Sequence, residues 1–283
     1  PVHVSGRAAP FRSILMAAVR FLKLHRYGIF RQLQLEEALF RNSSENWCII
    51  SRGTEPASIV MGISGKPEKL VDVPRAAKDA VPVIKRFTGG GTVIVDSSSI
   101  FVTFIGDVDW IRVKPWPREI MEWSGKFYNQ LFESDLGFNL QENDYCFGAK
   151  KFGGNAQAVS RNRFVHHTSF LWEYDRANMG YLLLPEKRPD YRGTRSHDDF
   201  LVTMRSIFDG NSLGGRSGES NIAPLPIASA EDFEAAVERL IRAEYDVADS
   251  ALDEAQAYLE IEHRSSTRYV PLEIDSEVAV EGR

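Results

Sequence analysis

At 283 residues, with 43% hydrophobic and 26% charged positions, the chain has an ordinary globular composition and enough length to bury a full core. A formal net charge of −5 argues against a general nucleic-acid binder, and no apolar run approaches the roughly 20 residues that a bilayer span needs. With only Cys48 and Cys146 there is no disulfide framework, which fits a reducing compartment.

Residues 1–18 read as a leader. The first acidic residue of the chain is Glu36, and Arg7, Arg12, Arg20, Lys23, Arg26 and Arg31 stand ahead of it. That basic, acid-free composition resembles an organellar transit peptide, with a mitochondrial address as the expectation. Vector-encoded residues ahead of Met16 would have the same look.

Residues 19–283 read as a single domain. Phe21 to Arg26 alternates as a first strand, and Gln32 to Arg41 follows as a helix with Leu35, Ala38 and Leu39 on one face. Glu36 and Glu37 then fall on a solvated face of that helix. Trp47 to Arg52 and Ile59 to Gly62 are strands, and Pro74 opens a short helix towards Ala80. Ile100 to Ile105 is a continuous apolar strand, expected at the centre of a sheet. Pro117 starts a helix reaching about Ser134, with Ile120, Ser124, Phe127 and Leu131 in one stripe. Leu136 to Leu140, Tyr145 to Phe147, Ala156 to Ser160, Phe164 to Leu171 and Gly180 to Leu184 complete a largely antiparallel strand set. Residues 185–222 are rich in Gly, Pro, Ser and charge and read as a mobile segment, most clearly from Asp209 to Gly218. Ser229 caps a helix through Tyr245, a shorter helix runs from Ala251 to Leu259, and Tyr269-Val270 is a last strand within the C-terminal 229–283 region. The fold class expected is α+β, a central mixed, largely antiparallel sheet flanked by helices.

Two stretches carry chemistry. In the first, Arg86 precedes Gly89, Gly90, Gly91 and Thr92 between two predicted strands. Glycines there can bring backbone N–H groups close against an anion, beside a fixed planar cation. A flexible hairpin connection would have the same composition. The stretch fits neither the Walker pattern nor the dinucleotide fingerprint, because no Gly-Lys-Ser/Thr and no helix follows. In the second, Asn143, Asp144, Lys151, Gly154 and Ala156 pair a lysine with glycines and an amide. At about 4 Å and an effective dielectric near 20, such a lysine contact to an anion is worth on the order of 4 kcal/mol before desolvation. A charged hairpin turn is the alternative. His166 and His167 are adjacent in a predicted strand, so they point to opposite faces and do not simply ligate one metal.

Taken together, these stretches resemble the lipoate–protein ligase A family of the biotin/lipoate ligase superfamily. Arg86, Gly89 to Gly91, Val93 and Asp96 match its RRxxGGGxVxHD loop; Asn143-Asp144 with Lys151, Gly154 and Ala156 match its second motif; His166-His167-Thr168 match its HHGT strand. The resemblance implies ATP-dependent activation of lipoate to lipoyl-AMP, then transfer to the ε-amine of a lysine on a lipoyl domain. It implies Lys151 as the catalytic lysine on the acyl carbonyl and phosphate. Arg86, Gly89, Gly90, Gly91, Thr92, Gly154, Ala156 and His167 would line the acyl-adenylate. Asn143 and Asp144 would hold the nucleotide, with Mg²⁺ expected near Asp144, and Arg192 and Arg195 would meet phosphates from a loop at 185–198. Implied partners are lipoyl-domain acceptors, such as the glycine-cleavage H protein and 2-oxo-acid dehydrogenase E2 subunits. A separate accessory protein is implied too, since many relatives carry a further C-terminal domain of roughly 100 residues. Three departures stand out: Lys85 replaces the first Arg, Val95 stands where the family has His, and Ser97-Ser98 follow Asp96. Two other functions stay open: ATP-independent octanoyl or lipoyl transfer from a carrier with Cys146 as nucleophile, and a non-catalytic acyl- or lipoyl-domain-binding protein.

Overall fold

A computed structural model describes residues 18–132, 136–186, 188–209 and 227–272. The leader (except Ala18), the expected helix end at Ser134 and most of the Asp209 to Gly218 segment lie outside the described residues.

Among the described residues twelve strands are interspersed with helices: β1 Ala18–His25, β2 Asn46–Arg52, β3 Ser58–Met61, β4 Val83–Lys85, β5 Val93–Val95, β6 Ser99–Asp107, β7 Phe138–Gln141, β8 Asp144–Phe147, β9 Lys150–Ser160, β10 Arg163–Leu171, β11 Asp246–Asp249 and β12 Arg268–Tyr269. They form two sheets rather than one. The larger has the order β11-β1-β2-β6-β10-β9-β8-β7 and the smaller β12-β4-β3-β5. In the larger sheet β1 runs parallel to β2 and β11, and the remaining pairings are antiparallel. The apolar run Ile100 to Ile105 lies within β6, between β2 and β10, and is completely buried, as a strand covered on both faces must be.

One face of the large sheet carries an aromatic core. Phe104, Phe164 and Phe170 pack there with Ile120 and Phe127 of the Pro117–Asn129 helix and Phe233 of the Ala230–Glu244 helix. The other face carries the first helix, Ile29–Asn42, and here the structure corrects the sequence. This helix is wedged between the two sheets. Leu35 and Leu39 pack on Ile49 and Ile105 of the large sheet, while Ile29 and Leu33 meet Val60, Ile84 and Val95 of the small one. Glu36 and Glu37 are consequently buried, not solvated. Glu37 accepts hydrogen bonds from the amides of Ser266 and Thr267 at 2.8 and 2.9 Å and from Arg41, and so ties the C-terminal segment to the helix.

Two other expectations change. Gly180 to Leu184 is not a strand: a short helix, Arg176–Met179, capped by Asp175, precedes it, and only Leu182 bridges to Val71. The 185–209 stretch contains regular turns, namely Asp190–Arg192, His197–Phe200 and Met204–Phe208.

Candidate active site

The glycine stretch is not a hairpin. β4 pairs with β3 in parallel and β5 pairs with β3 antiparallel, so the segment joining them must cross the end of β3. Room for that crossing comes from glycine on both layers. A β-carbon on Gly62, directly after β3, would lie 2.3 Å from the Gly90 carbonyl oxygen. Gly90 itself has φ +117°, a conformation closed to other residues without strain. The loop is pinned from two sides. Gly89 N–H donates to Gln157 O on β9 at 3.0 Å. The buried Arg86 guanidinium donates to the carbonyls of Val60, Gly89 and Gly91 at 3.3, 3.2 and 2.8 Å.

Arg86 has no carboxylate among these partners, and its Nε is buried without one. Burial pulls its pKa down to about 10, against the opposing pull of the Glu36 charge, so the group remains a cation at neutral pH.

A β-bulge builds the second half of the site. On a regular strand Lys151 and Gly154 would face opposite ways. The β8–β9 register shifts by one residue between Tyr145 and Cys146, so Cys146 opposes Lys151 while Asp144 opposes Gly154. Lys151 and Gly154 therefore share a face with Asp144. Lys151 Nζ donates to Asp144 Oδ1 at 2.7 Å. A β-carbon on residue 154 would stand 3.0 Å from Lys151 Nζ, so the glycine leaves the lysine its path.

The third component is His167 on β10. Its Nδ1–H donates to the two carboxylate oxygens of Glu36 at 3.0 and 2.9 Å, and Thr103 Oγ1–H donates to the same carboxylate at 2.8 Å. The neighbouring His166 points away. It meets Tyr145 and Gln157 at 2.9 Å, and burial lowers its pKa to about 3, so it is a neutral core imidazole.

These elements enclose a cavity of about 940 Å³, within the range of about 300–1,000 Å³ that holds a drug-sized ligand. Arg86, Gly89, Gly90, Gly91, Thr92, Asn143, Asp144, Lys151, Gly154, Ala156, His167 and Arg192 all line it. Arg195 does not. Its guanidinium donates to the carbonyls of Ala149, Tyr191 and Arg192, which clamps the 190–195 segment instead of meeting a ligand. Arg192 is buried over the Phe200 ring with Nη2 unpartnered, and desolvation together with Arg188 lowers its pKa. Lys66, Lys69 and Arg188 add positive charge to the lining, where Glu142, Asp144 and Glu186 are the acidic members. The lining thus combines cationic groups with apolar ones, among them Ile29, Val60, Val93, Val95 and Phe101.

Asp144, expected beside Mg²⁺, is engaged on both of its carboxylate oxygens. One of its oxygens takes the Lys151 ammonium and the other the Tyr191 hydroxyl at 2.8 Å. Among the described residues no group of three His, Cys, Asp or Glu side chains is placed to hold a metal ion. Cys146 has no exposed surface and does not line the cavity, and burial raises its pKa to about 11. Such a thiol is a poor nucleophile.

Sequence reasoning did not single out Glu36, Tyr191, Lys66 or Lys69. Nothing local marks Glu36, because its partner His167 lies 131 residues further along the chain.

Comparison with known proteins adds the family signal. Residues 29–212 match the model of the lipoyl protein ligase A/B catalytic domain. A Plasmodium falciparum protein named inactive lipoate–protein ligase 2 is 33% identical, covering 65% of this chain and 63% of its own length. Lipoate-protein ligase A of Blochmanniella floridana is 25% identical, covering 68% of this chain and 57% of its own. The chain thus spans about three-fifths of the length of these curated relatives. Among solved structures, a lipoate-protein ligase A bound with ATP superposes with a TM-score of 0.64 at 15% identity, over 87% of this chain and 93% of that one. A bipartite lipoate protein ligase from Thermoplasma acidophilum, described with its E2 lipoyl domain, follows at 0.62 and 17% identity, covering 86% and 91%.

Proposed function

Because the chain belongs to the lipoyl protein ligase A/B catalytic-domain family, we propose that it activates lipoate with ATP to lipoyl-AMP and passes the lipoyl group to a lysine of a lipoyl domain. The carrying observation is the Lys151 ammonium, held 2.7 Å from Asp144 on the wall of a cavity that also presents Arg86 and Arg192. Such a surplus of cations suits a polyphosphate, and the apolar lining suits a medium-length acyl chain.

In the first step the lipoate carboxylate attacks the α-phosphorus, and pyrophosphate leaves with the electron pair of the broken P–O bond. Catalysis of such a displacement is positioning and charge neutralisation. Lys151 supplies a mobile charge for the equatorial oxygens, while Arg86, clamped by three carbonyls, supplies a fixed one. In the second step the neutral ε-amine of the acceptor attacks the acyl carbon, AMP departs with the C–O electrons, and the new amide sheds a proton. Lys151 then stabilises the carbonyl oxyanion. No protein nucleophile is needed, which agrees with the buried, protonated Cys146.

Acceptors proposed are lipoyl domains of the glycine-cleavage H protein and 2-oxo-acid dehydrogenase E2 type; the Thermoplasma structure described with an E2 lipoyl domain supports that class. A second reading, transfer from preformed lipoyl-AMP with activation supplied by another protein, fits a chain similar to one named an inactive ligase.

Intact-mass spectrometry of an acceptor lipoyl domain tests both. With lipoate, ATP and Mg²⁺ the acceptor gains a lipoyl group, and Lys151→Ala lowers the rate by about 10²–10³-fold, the usual loss for one charge-stabilising donor. Labelling only from synthetic lipoyl-AMP establishes the second reading. Labelling only from an octanoyl carrier protein overturns both.

A further inference from the structure

Tyr191 stands in the short turn Asp190–Arg192, and its ring is placed from several directions. Arg195 clamps the turn to Ala149, Tyr191 and Arg192 carbonyls, the Val202 amide donates to Lys151 O at 2.9 Å, and the ring lies 5.3 Å from that of Phe200. From that seat the hydroxyl reaches two groups, Asp144 Oδ2 at 2.8 Å and Cys146 Sγ at 3.4 Å.

The directions of these hydrogen bonds follow from chemistry. Burial and the adjacent Asp144 hold the phenol far above its usual pKa, so it keeps its proton and donates a hydrogen bond to the carboxylate. Its oxygen is then free to accept. Cys146, kept as a thiol by burial, is the donor within reach. The chain runs thiol to phenol to carboxylate, and the Lys151 ammonium meets the same carboxylate on its other oxygen.

We infer that Tyr191 is a positioning residue for the proposed reaction: its hydroxyl occupies one oxygen of Asp144 and so keeps the Lys151 ammonium on the other, aimed into the cavity. The inference rests on the function proposed above. Without the hydroxyl, the second oxygen of a buried carboxylate is left open, and the ammonium settles between the two oxygens, drawn back from the phosphate. The packing of the ring is untouched by Tyr191→Phe, so that variant isolates the hydroxyl.

The test is a double-mutant cycle read by calorimetric titration with a non-hydrolysable lipoyl-sulfamoyl adenosine, with lipoate alone as the control, and by lipoyl transfer wherever wild type turns over. Tyr191→Phe weakens analogue binding about tenfold, the scale of one charge-assisted hydrogen bond, and lowers kcat similarly. Lipoate affinity stays as in wild type, and the melting temperature falls by no more than about 2–4 °C. In an Asp144→Asn background the Tyr191→Phe effect shrinks below about twofold. An unchanged analogue affinity in Tyr191→Phe overturns the inference, as does an equal loss with or without Asp144. A parallel loss of lipoate affinity and stability overturns it too, because that is the signature of a merely structural tyrosine. Failure of wild type itself to bind the analogue overturns the adenylate reading on which it stands.

Discussion

Alanine at Gly90 and at Gly62 probes the same crossing from its two layers, and the structure sets the scale of each effect. At Gly90 an L-residue must take φ +117°, costing about 1–3 kcal/mol. Its β-carbon would also sit 2.6 Å from Arg86 Nη2, the atom that donates to Gly89 and Gly91 carbonyls. Moving that charged donor forfeits about 1.5–3 kcal/mol more. The total of about 2.5–6 kcal/mol corresponds to a fall in melting temperature of roughly 5–24 °C at about 2–4 °C per kcal/mol. Gly62→Ala brings a β-carbon to 2.3 Å from a backbone oxygen, which cannot rotate away, so the whole loop must lift. Overpacking of this kind costs about 1–3 kcal/mol, and the lifted loop loses its contact with ligand. Gly91 is the control: a β-carbon there meets nothing within 4 Å. Differential scanning fluorimetry and calorimetric titration with the adenylate analogue read both effects. Gly90→Ala melting within 2 °C of wild type with full affinity would refute the reasoning (about 1 kcal/mol at most), as would Gly91→Ala being the most damaging of the three.

Three further outcomes follow from buried polar groups. Glu36→Ala leaves Gln32, Thr103 and His167 donors without their acceptor in the interior, a loss of about 3–5 kcal/mol, whereas Glu36→Gln keeps an acceptor and loses less; thermal unfolding compares them, and a neutral alanine variant would contradict the buried carboxylate. Burial alone would raise the pKa of Glu37, but hydrogen bonds from Arg41 and the Thr267 and Ser266 groups outweigh it and hold the value below the ordinary one. Its stabilisation is therefore complete above the unfolded glutamate value of about 4.3 and is lost as pH falls through the lower folded value. Hydrogen-exchange protection factors at Ser266 and Thr267 should collapse in that acid window and at neutral pH in Glu37→Ala; protection that persists in both would contradict the tether. Cys146→Ser should keep ATP-dependent transfer within about threefold, since a hydroxyl also donates to Tyr191, a change of about 0.6 kcal/mol. Abolition of transfer would reinstate the thioester route.

Much of the site could be read from residue order, because the glycines and the lysine act through the backbone geometry their own spacing creates. Gly89 to Gly91 and Lys151 with Gly154 are local features, and they line the cavity together. What escaped was set by partners distant in the chain. The helix pattern assumes one apolar face against one sheet, which left Glu36 and Glu37 to solvent. The Ile29–Asn42 helix is covered on two sides, so its carboxylates find His167 and the Ser266–Thr267 amides. Tyr191 was hidden for the same reason, since nothing near it in sequence names Asp144 as its acceptor. Gly180 to Leu184 shows the reverse error. An aliphatic run suggested a strand, but its backbone makes one isolated bridge, Leu182 to Val71, with Leu183 N–H on Leu70 O at 3.0 Å and Asp72 N–H on Tyr181 O at 2.9 Å.

Both sheets have one edge that is supplied late. β11 lies beside β1 and β12 beside β4, so the first described strand and the strand leading to Arg86 are each covered by the last two described strands. During synthesis the ribosome releases the glycine loop long before the strand that seals its sheet. Until then β4 shows an open row of amides and carbonyls to any passing strand. Pairings of such high sequence separation fold slowly and leave partly closed forms prone to mispairing. A nascent chain of this protein should therefore lean on chaperones until β12 emerges, and its loop should gain binding competence only once that strand has paired.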